Sequence, residues 1–221
     1  MKELTHPQTG KLGNTVSLRT RHGQIRRVLS IPRNRRSAAQ RRIRANLGRF
    51  AALWRTLTDP QRAAWTRAAR DARTRRCLGH ATYLTGCQLF IKLNSARAAI
   101  GLPELLDPPP FPRFGRNPVG PLLITNDDGD IRLQLKVSGS PAADLVLLGI
   151  APCSAGIAYA WNFVTLGRLP APVNGFCDIT DLYVARFGRP RVGSRVFVRA
   201  RQQINGWSDA PKQTTALVPA A

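Results

Sequence analysis

Few side chains in this 221-residue chain stand where a reaction would need them. The three histidines, His6, His22 and His80, fall in a tail, a turn and a Gly-flanked loop, none beside the Ser or Cys plus acid that nucleophilic catalysis requires. In "CLGHATYLTGC", Cys77, His80 and Cys87 offer metal-ligating atoms but lack the fourth ligand and the paired spacing of a zinc site. "NDDGD", Asn126 to Asp130, begins like a calcium loop without its closing glutamate. Between the apolar runs "LLIT" and "IRLQLKV" it reads as a hairpin turn. Glu3 and Glu104 are the only glutamates, so a pair of carboxylates would have to come from aspartates in turns and caps. No glycine-rich phosphate loop follows a strand. The expectation is a protein with no catalytic residue, no metal and no cofactor.

What the sequence does concentrate is positive charge. "SAAQRRIRANLGRFAALWRTL", Ser37 to Leu57, holds five arginines and no acidic residue. At about 100° per residue, Ile43, Leu47, Phe50, Trp54 and Leu57 fall within roughly 40° of one line, a seam that should face a core. Arg41, Arg42, Arg44, Arg49 and Arg55 lie about 100° or more from it. Like charges three or four apart on a helix cost a few tenths of a kcal/mol each, and an external anion would relieve that cost. Arginine outnumbers lysine 29 to 5. With abundant Ala, Gly and Pro, that ratio reflects a GC-rich genome, and a merely solvated face is the alternative. The shortage of Asp and Glu has no such origin. It favours a surface in which Arg26, Arg27, Arg41, Arg42, Arg44, Arg49, Arg55, Arg73, Arg75 and Arg76 contact nucleic acid or another polyanion. Nothing in the sequence argues for base-specific contact.

The elements that must carry these arginines have local signatures. "TGKLGNTVSLRTRHGQIRRVLSIP" alternates around Val16 and Leu18, turns near His22 and Gly23 and resumes at Ile25, predicting a basic β-hairpin closed by Pro32. Ser37 with Gln40, Thr58 with Gln61 and Thr85 with Gln88 each have the form of a capping box, in which two side chains satisfy free N–H groups at a helix start. The second helix, with Pro60 in its first turn, should run to about Ala72 and present Trp65, Ala68, Ala69 and Ala72 on one side. The third, "CQLFIKLNSARAAIG", should stop at Gly101.

Charge and patterning both change across "PELLDPPPFPRFGRNPVGP". Residues 1–112 carry 22 basic and 5 acidic side chains, a net +17, whereas 113–221 carry +5 of the total +22. The proline run cannot continue a helix. This predicts an α+β chain in two domains: a basic hairpin and three-helix module at 1–102, a Pro-rich linker at 103–121, and an all-β sandwich at 122–221. "LLIT", "IRLQLKV", "LVLLGIA", "IAYAWNFV", "GFCDI", "RVFVRARQQ" and "KQTTALV" are its expected strands, about the number in an immunoglobulin-like sandwich. Trp161 and Trp207 are expected in its core. Cys77, Cys87, Cys153 and Cys177 show no C-x-x-C spacing and read as reduced, buried side chains; a Cys153–Cys177 bridge across the sandwich is the alternative.

Three resemblances follow from these motifs. "GSRVFVRARQQINGWSDAPKQTTALV" resembles the last two strands of a fibronectin type III domain, which implies a spacer or protein-binding module. "FAALWRTLTDPQRAAWTRAARDARTRR" is similar to the later helices of the HMG box. The wider pattern "GKLGNTV...GQIRR...P.N..S..Q...R......W..LT..QR..W...A", followed by "TGCQLFIKLN", resembles an uncharacterised family of bacterial and phage proteins in which such a basic half precedes an immunoglobulin-like tail. That likeness implies a non-enzymatic, virion-associated structural or assembly protein, and it transfers no functional residue. A cytoplasmic architectural DNA-binding protein is the alternative. "MKELTHPQTGKLGN" lacks the apolar run of a secretion signal, and no stretch reaches membrane-spanning length, so a cytoplasmic or virion location is expected. The expected partners are nucleic acid or another polyanion, proteins met through the sandwich and a further copy of the chain, with no membrane.

Overall fold

The chain is described over residues 8–20, 23–31, 36–72, 83–139 and 143–220 of a computed structural model. It begins with β1 (Gly10–Leu12), β2 (Thr15–Thr20) and β3 (Gly23–Val28), joined in that order as an antiparallel sheet. The expected hairpin is β2–β3, with Ser17 opposite Arg26 and Leu18 opposite Ile25. β1 adds a third strand by turning back through Gly13, whose φ of 53° suits glycine. No side chain of this sheet joins either hydrophobic cluster of the protein.

Three helices follow. α1 (Ala38–Thr56), α2 (Asp59–Ala68) and α3 (Gly86–Ala98) each open on the predicted capping box, in which the Ser37, Thr58 or Thr85 side chain accepts from the N–H of Gln40, Gln61 or Gln88. α2 stops four residues short of the expected end, and Ala69–Asp71 tighten into a 3-10 turn. Phe50, Leu57, Trp65, Ala69, Ala72, Leu89, Phe90 and Leu93 form the helical core. Phe90 meets the Trp65 ring edge-on at 5.2 Å and Trp54 at 5.6 Å. A Cβ on Gly86 would lie 2.7 Å from Thr66 Oγ1, so the close approach of α2 and α3 needs glycine there.

The proline-rich stretch ties the two halves as well as joining them. Trp65 Nε1 donates to the Leu106 carbonyl (2.7 Å), the Leu105 N–H donates to Asn94 Oδ1 (2.7 Å), and Arg97 Nε donates to the Pro103 carbonyl (2.7 Å). Phe111 then stacks edge-on against Trp207 at 4.9 Å.

Beyond it lie β4 (Val119–Asp127), β5 (Asp130–Val137), β6 (Asp144–Gly149), β7 (Val164–Arg168), β8 (Phe176–Asp178), β9 (Arg195–Ile204), β10 (Trp207–Ser208) and β11 (Lys212–Leu217), with α4 (Thr180–Phe187) between β8 and β9. All pairings are antiparallel. One sheet runs β4-β5-β8; the other runs β10-β9-β6-β7, with β11 also on β9. Leu133 and Leu135 of β5, Leu145 and Leu147 of β6 and Val196 and Val198 of β9 share one core, so both sheets bury a face in it. "NDDGD" is the hairpin turn expected, with Asp127 opposite Asp130 and left-handed Asp128 and Gly129 between them.

Several expectations are corrected. Ile43 and Leu47 do not reach the core: they are 67% and 51% exposed, because no described element crosses the first half of α1. Of "IAYAWNFV", only Val164 enters a strand. Trp161, expected in the core, is 73% exposed on the loop before β7, while Trp207 is buried with the helices rather than between the sheets. α4 interrupts a stretch that the sequence predicts as strands. Cys87 and Cys153, expected to be buried, are only half-buried, whereas Cys177 is buried; Cys153 and Cys177 are unbridged, in keeping with the reduced reading, and their thiols face the carbonyls of Ala151 and Pro170. Cys77 and His80 lie outside the described residues. Among the described residues, no helix is long and apolar enough to cross a membrane.

Candidate nucleic-acid interface

α1 forms because its start is capped on both sides: Gln40 N donates to Ser37 Oγ and Ser37 N donates to Gln40 Oε1, each at 3.3 Å. It holds because Phe50 and Leu57 anchor its second half. Its first half, residues 38–48, stands clear of the core for about 16 Å. Within it only Gln40 and Asn46 are half-covered. A helix exposed all round can approach a polyanion from several sides.

The structure brings Arg41, Arg42, Arg44, Arg49 and Arg55 together on this helix, all exposed. They are not equivalent. Arg49 has an internal partner that the sequence did not suggest: its Nη1 lies 2.9 Å from Glu104 Oε1, and its guanidinium covers the Phe50 ring at 4.7 Å. Arg55 turns its Nε toward the Ala51 carbonyl one turn back, at 3.3 Å. Arg41, Arg42 and Arg44 crowd the clear end of the helix, where mutual repulsion favours an anion.

Arg26 and Arg27 occupy the separate β1–β3 sheet and, as neighbours on β3, point to opposite faces, so a flat partner meets one or the other. Arg26 is held on its face by Gln8, whose Oε1 accepts from Nη2 at 3.2 Å. Arg73, Arg75 and Arg76 lie outside the described residues. Lys11 and Arg19 on the sheet and Arg67 and Arg70 beyond it on α2 and its terminal turn are further exposed cations that spacing on α1 alone does not find. The signal for Lys11 and Arg19 is regional: residues 4–58 contain 13 Arg and Lys and no Asp or Glu.

Compared with protein families, curated proteins and solved structures, the chain matches none. Its own chemistry therefore has to carry the reading.

Elsewhere, a cavity of about 800 Å³ opens in the β half, lined by Asp144, Arg168, Pro170, Cys177, Gln203 and Asn205 among others. Its ionic groups are spent on each other, Arg168 Nη2 lying 2.7 Å from Asp144 Oδ1. Burial pushes the Cys177 thiol above its ordinary pKa, away from the thiolate a nucleophile requires. Among the described residues, no three His, Cys, Asp or Glu side chains gather where they would hold a metal.

Proposed function

We propose that the protein is a non-enzymatic structural or assembly protein whose basic N-terminal half lies against nucleic acid and whose β half makes protein contacts. One observation carries this: Arg41, Arg42 and Arg44 are exposed on a helix end that clears the core, inside a stretch of 55 residues without a carboxylate. Arginine forks bridge phosphate oxygens, and phosphate contact carries no base information, so binding is sequence-independent. Nucleic acid is favoured over an acidic protein for this face because a phosphate backbone supplies regularly spaced anions along a helix of this length.

The strand orders β4-β5-β8 and β11-β9-β6-β7 support reading the β half as a fibronectin type III-like sandwich, a fold used for spacing and protein contact. Together with the sequence motifs that resemble phage open reading frames, this supports a role in a phage-like particle.

Salt titration of the full chain against random duplex and single-stranded oligonucleotides tests the proposal. Log affinity should fall with log salt at a slope of about 0.9 per phosphate contacted on duplex. Replacing Arg41, Arg42 and Arg44 together by Gln should lower that slope by up to about three. No binding to either nucleic acid at low salt, or an unchanged slope in the triple variant, refutes it.

A further inference from the structure

Ile43 and Leu47 prolong the buried line of Phe50 and Leu57 toward the start of α1, yet they face solvent. Further along, α3 covers the same line, Phe90 lying 5.6 Å from Trp54, and a carboxylate meets the arginine on its flank. Glu104 pairs with Arg49, and its neighbour Leu105 packs on the helical core. A carboxylate beside an apolar side chain thus meets the arginine that flanks this line where the line enters the core.

Nothing in the described residues repeats this over the first half. The β1–β3 sheet contributes no side chain to the core, and residues 4–58 have no carboxylate to give. Arg42 and Arg44 stand about 100° to either side of Ile43 around the helix. Whatever covers Ile43 and Leu47 therefore lies between two guanidinium groups. A second copy of the chain would set arginine against arginine across that contact, which like-charge repulsion opposes. An acidic segment meets attraction on both flanks.

We infer that the exposed first half of this seam docks a short acidic and apolar segment of a partner protein, of the chemistry that Glu104 and Leu105 supply further along the helix. Arg42 and Arg44 contact nucleic acid when no partner is docked and flank the segment when one is, while Arg41, on the far side of the helix from the seam, is directed at nucleic acid in both states. One helix then joins a nucleic acid to a protein, which is what an assembly protein requires.

The probe is a synthetic peptide in which paired leucines at i, i+4 are flanked by glutamates, titrated by fluorescence anisotropy against the full chain. An otherwise identical peptide with serine for leucine is the control. Ile43→Ser with Leu47→Ser should weaken the leucine peptide roughly tenfold or more, since two apolar contacts are lost. The serine peptide should bind both chains weakly and alike, and the duplex salt slope should be the same in both. Because both positions are exposed, helical content by circular dichroism should be retained. Equal binding of the leucine peptide to the two chains, or no binding to either, overturns the inference. So does a wild-type dimer in sedimentation velocity that the double variant dissociates, because a second copy would then be the occupant. The Arg41, Arg42 and Arg44 variant tests the nucleic-acid reading separately, so the two can fail independently.

Discussion

Tyr183 shows how a single side chain fastens the β half. It is fully buried, its ring lies 5.1 Å from Phe187, and its Oη donates to the Ile150 carbonyl at 2.7 Å. Burial, with a smaller contribution from Cys153, pushes the phenol well above its ordinary pKa. Tyr183→Phe leaves the Ile150 carbonyl without its donor and should cost about 1–3 kcal/mol in urea unfolding at pH 7. The sign of the pH effect follows from the raised pKa. The unfolded phenol ionises near pH 10 and the folded one only higher, so its contribution is complete below about pH 10 and is lost as pH rises beyond. Wild type should therefore lose stability above about pH 10 more steeply than Tyr183→Phe. Parallel alkaline profiles would mean the hydroxyl ionises as freely in the folded state as in the unfolded.

At the scale of the element, α1 is one helix in sequence pattern set in two surroundings. Its apolar line runs from Ile43 to Leu57, but only the part from Phe50 onward has a core to meet. Phe50→Ala should cost about 3–5 kcal/mol through the cavity it leaves. Ile43→Ala, on the same line two turns earlier, should change unfolding free energy by no more than about 0.5 kcal/mol. Similar losses from both, measured by denaturant unfolding, would mean that the first half of α1 is covered in the free protein. The arginines on that half were legible from spacing alone. The Arg49–Glu104 pair was not, because its partner lies on another segment, 55 positions away.

At the scale of the whole molecule, the helical core is completed from outside its own half. Trp207 comes from β10 and is 5% exposed among the helices. The turn that delivers it is pressed onto α3: Asn205 and Gly206 are both left-handed, and a Cβ on Gly206 would lie 2.5 Å from the Leu93 carbonyl oxygen. Arg97 Nη1 donates to Asn205 Oδ1 and Gln203 Nε2 donates to the Ala96 carbonyl, each at 3.2 Å. Trp207→Ala in the full chain should accordingly lower the stability of the helices by about 3–5 kcal/mol. A fragment of residues 1–102, lacking both Trp207 and the proline-rich stretch, should show weaker hydrogen-exchange protection in α3 than the full chain does. Equal protection would mean that the helices are held by their own contacts alone.

The sequence by itself determined the features that close within three or four residues. The capping boxes at Ser37, Thr58 and Thr85, the Asp128–Gly129 turn and the helix that Ser37 opens all formed as expected, because each is satisfied by near neighbours and by backbone geometry. Coverage was decided only by the tertiary structure. Whether an apolar side chain is buried depends on segments far along the chain, as when Leu106 receives Trp65 from 41 positions away or Asn205 receives Arg97 from 108. Periodicity could place Ile43 and Phe50 on one line, and composition could mark Trp161 and Trp207 as candidates for a core. Neither carries information about what lies opposite, so Ile43 and Trp161 face solvent while Phe50 and Trp207 are buried.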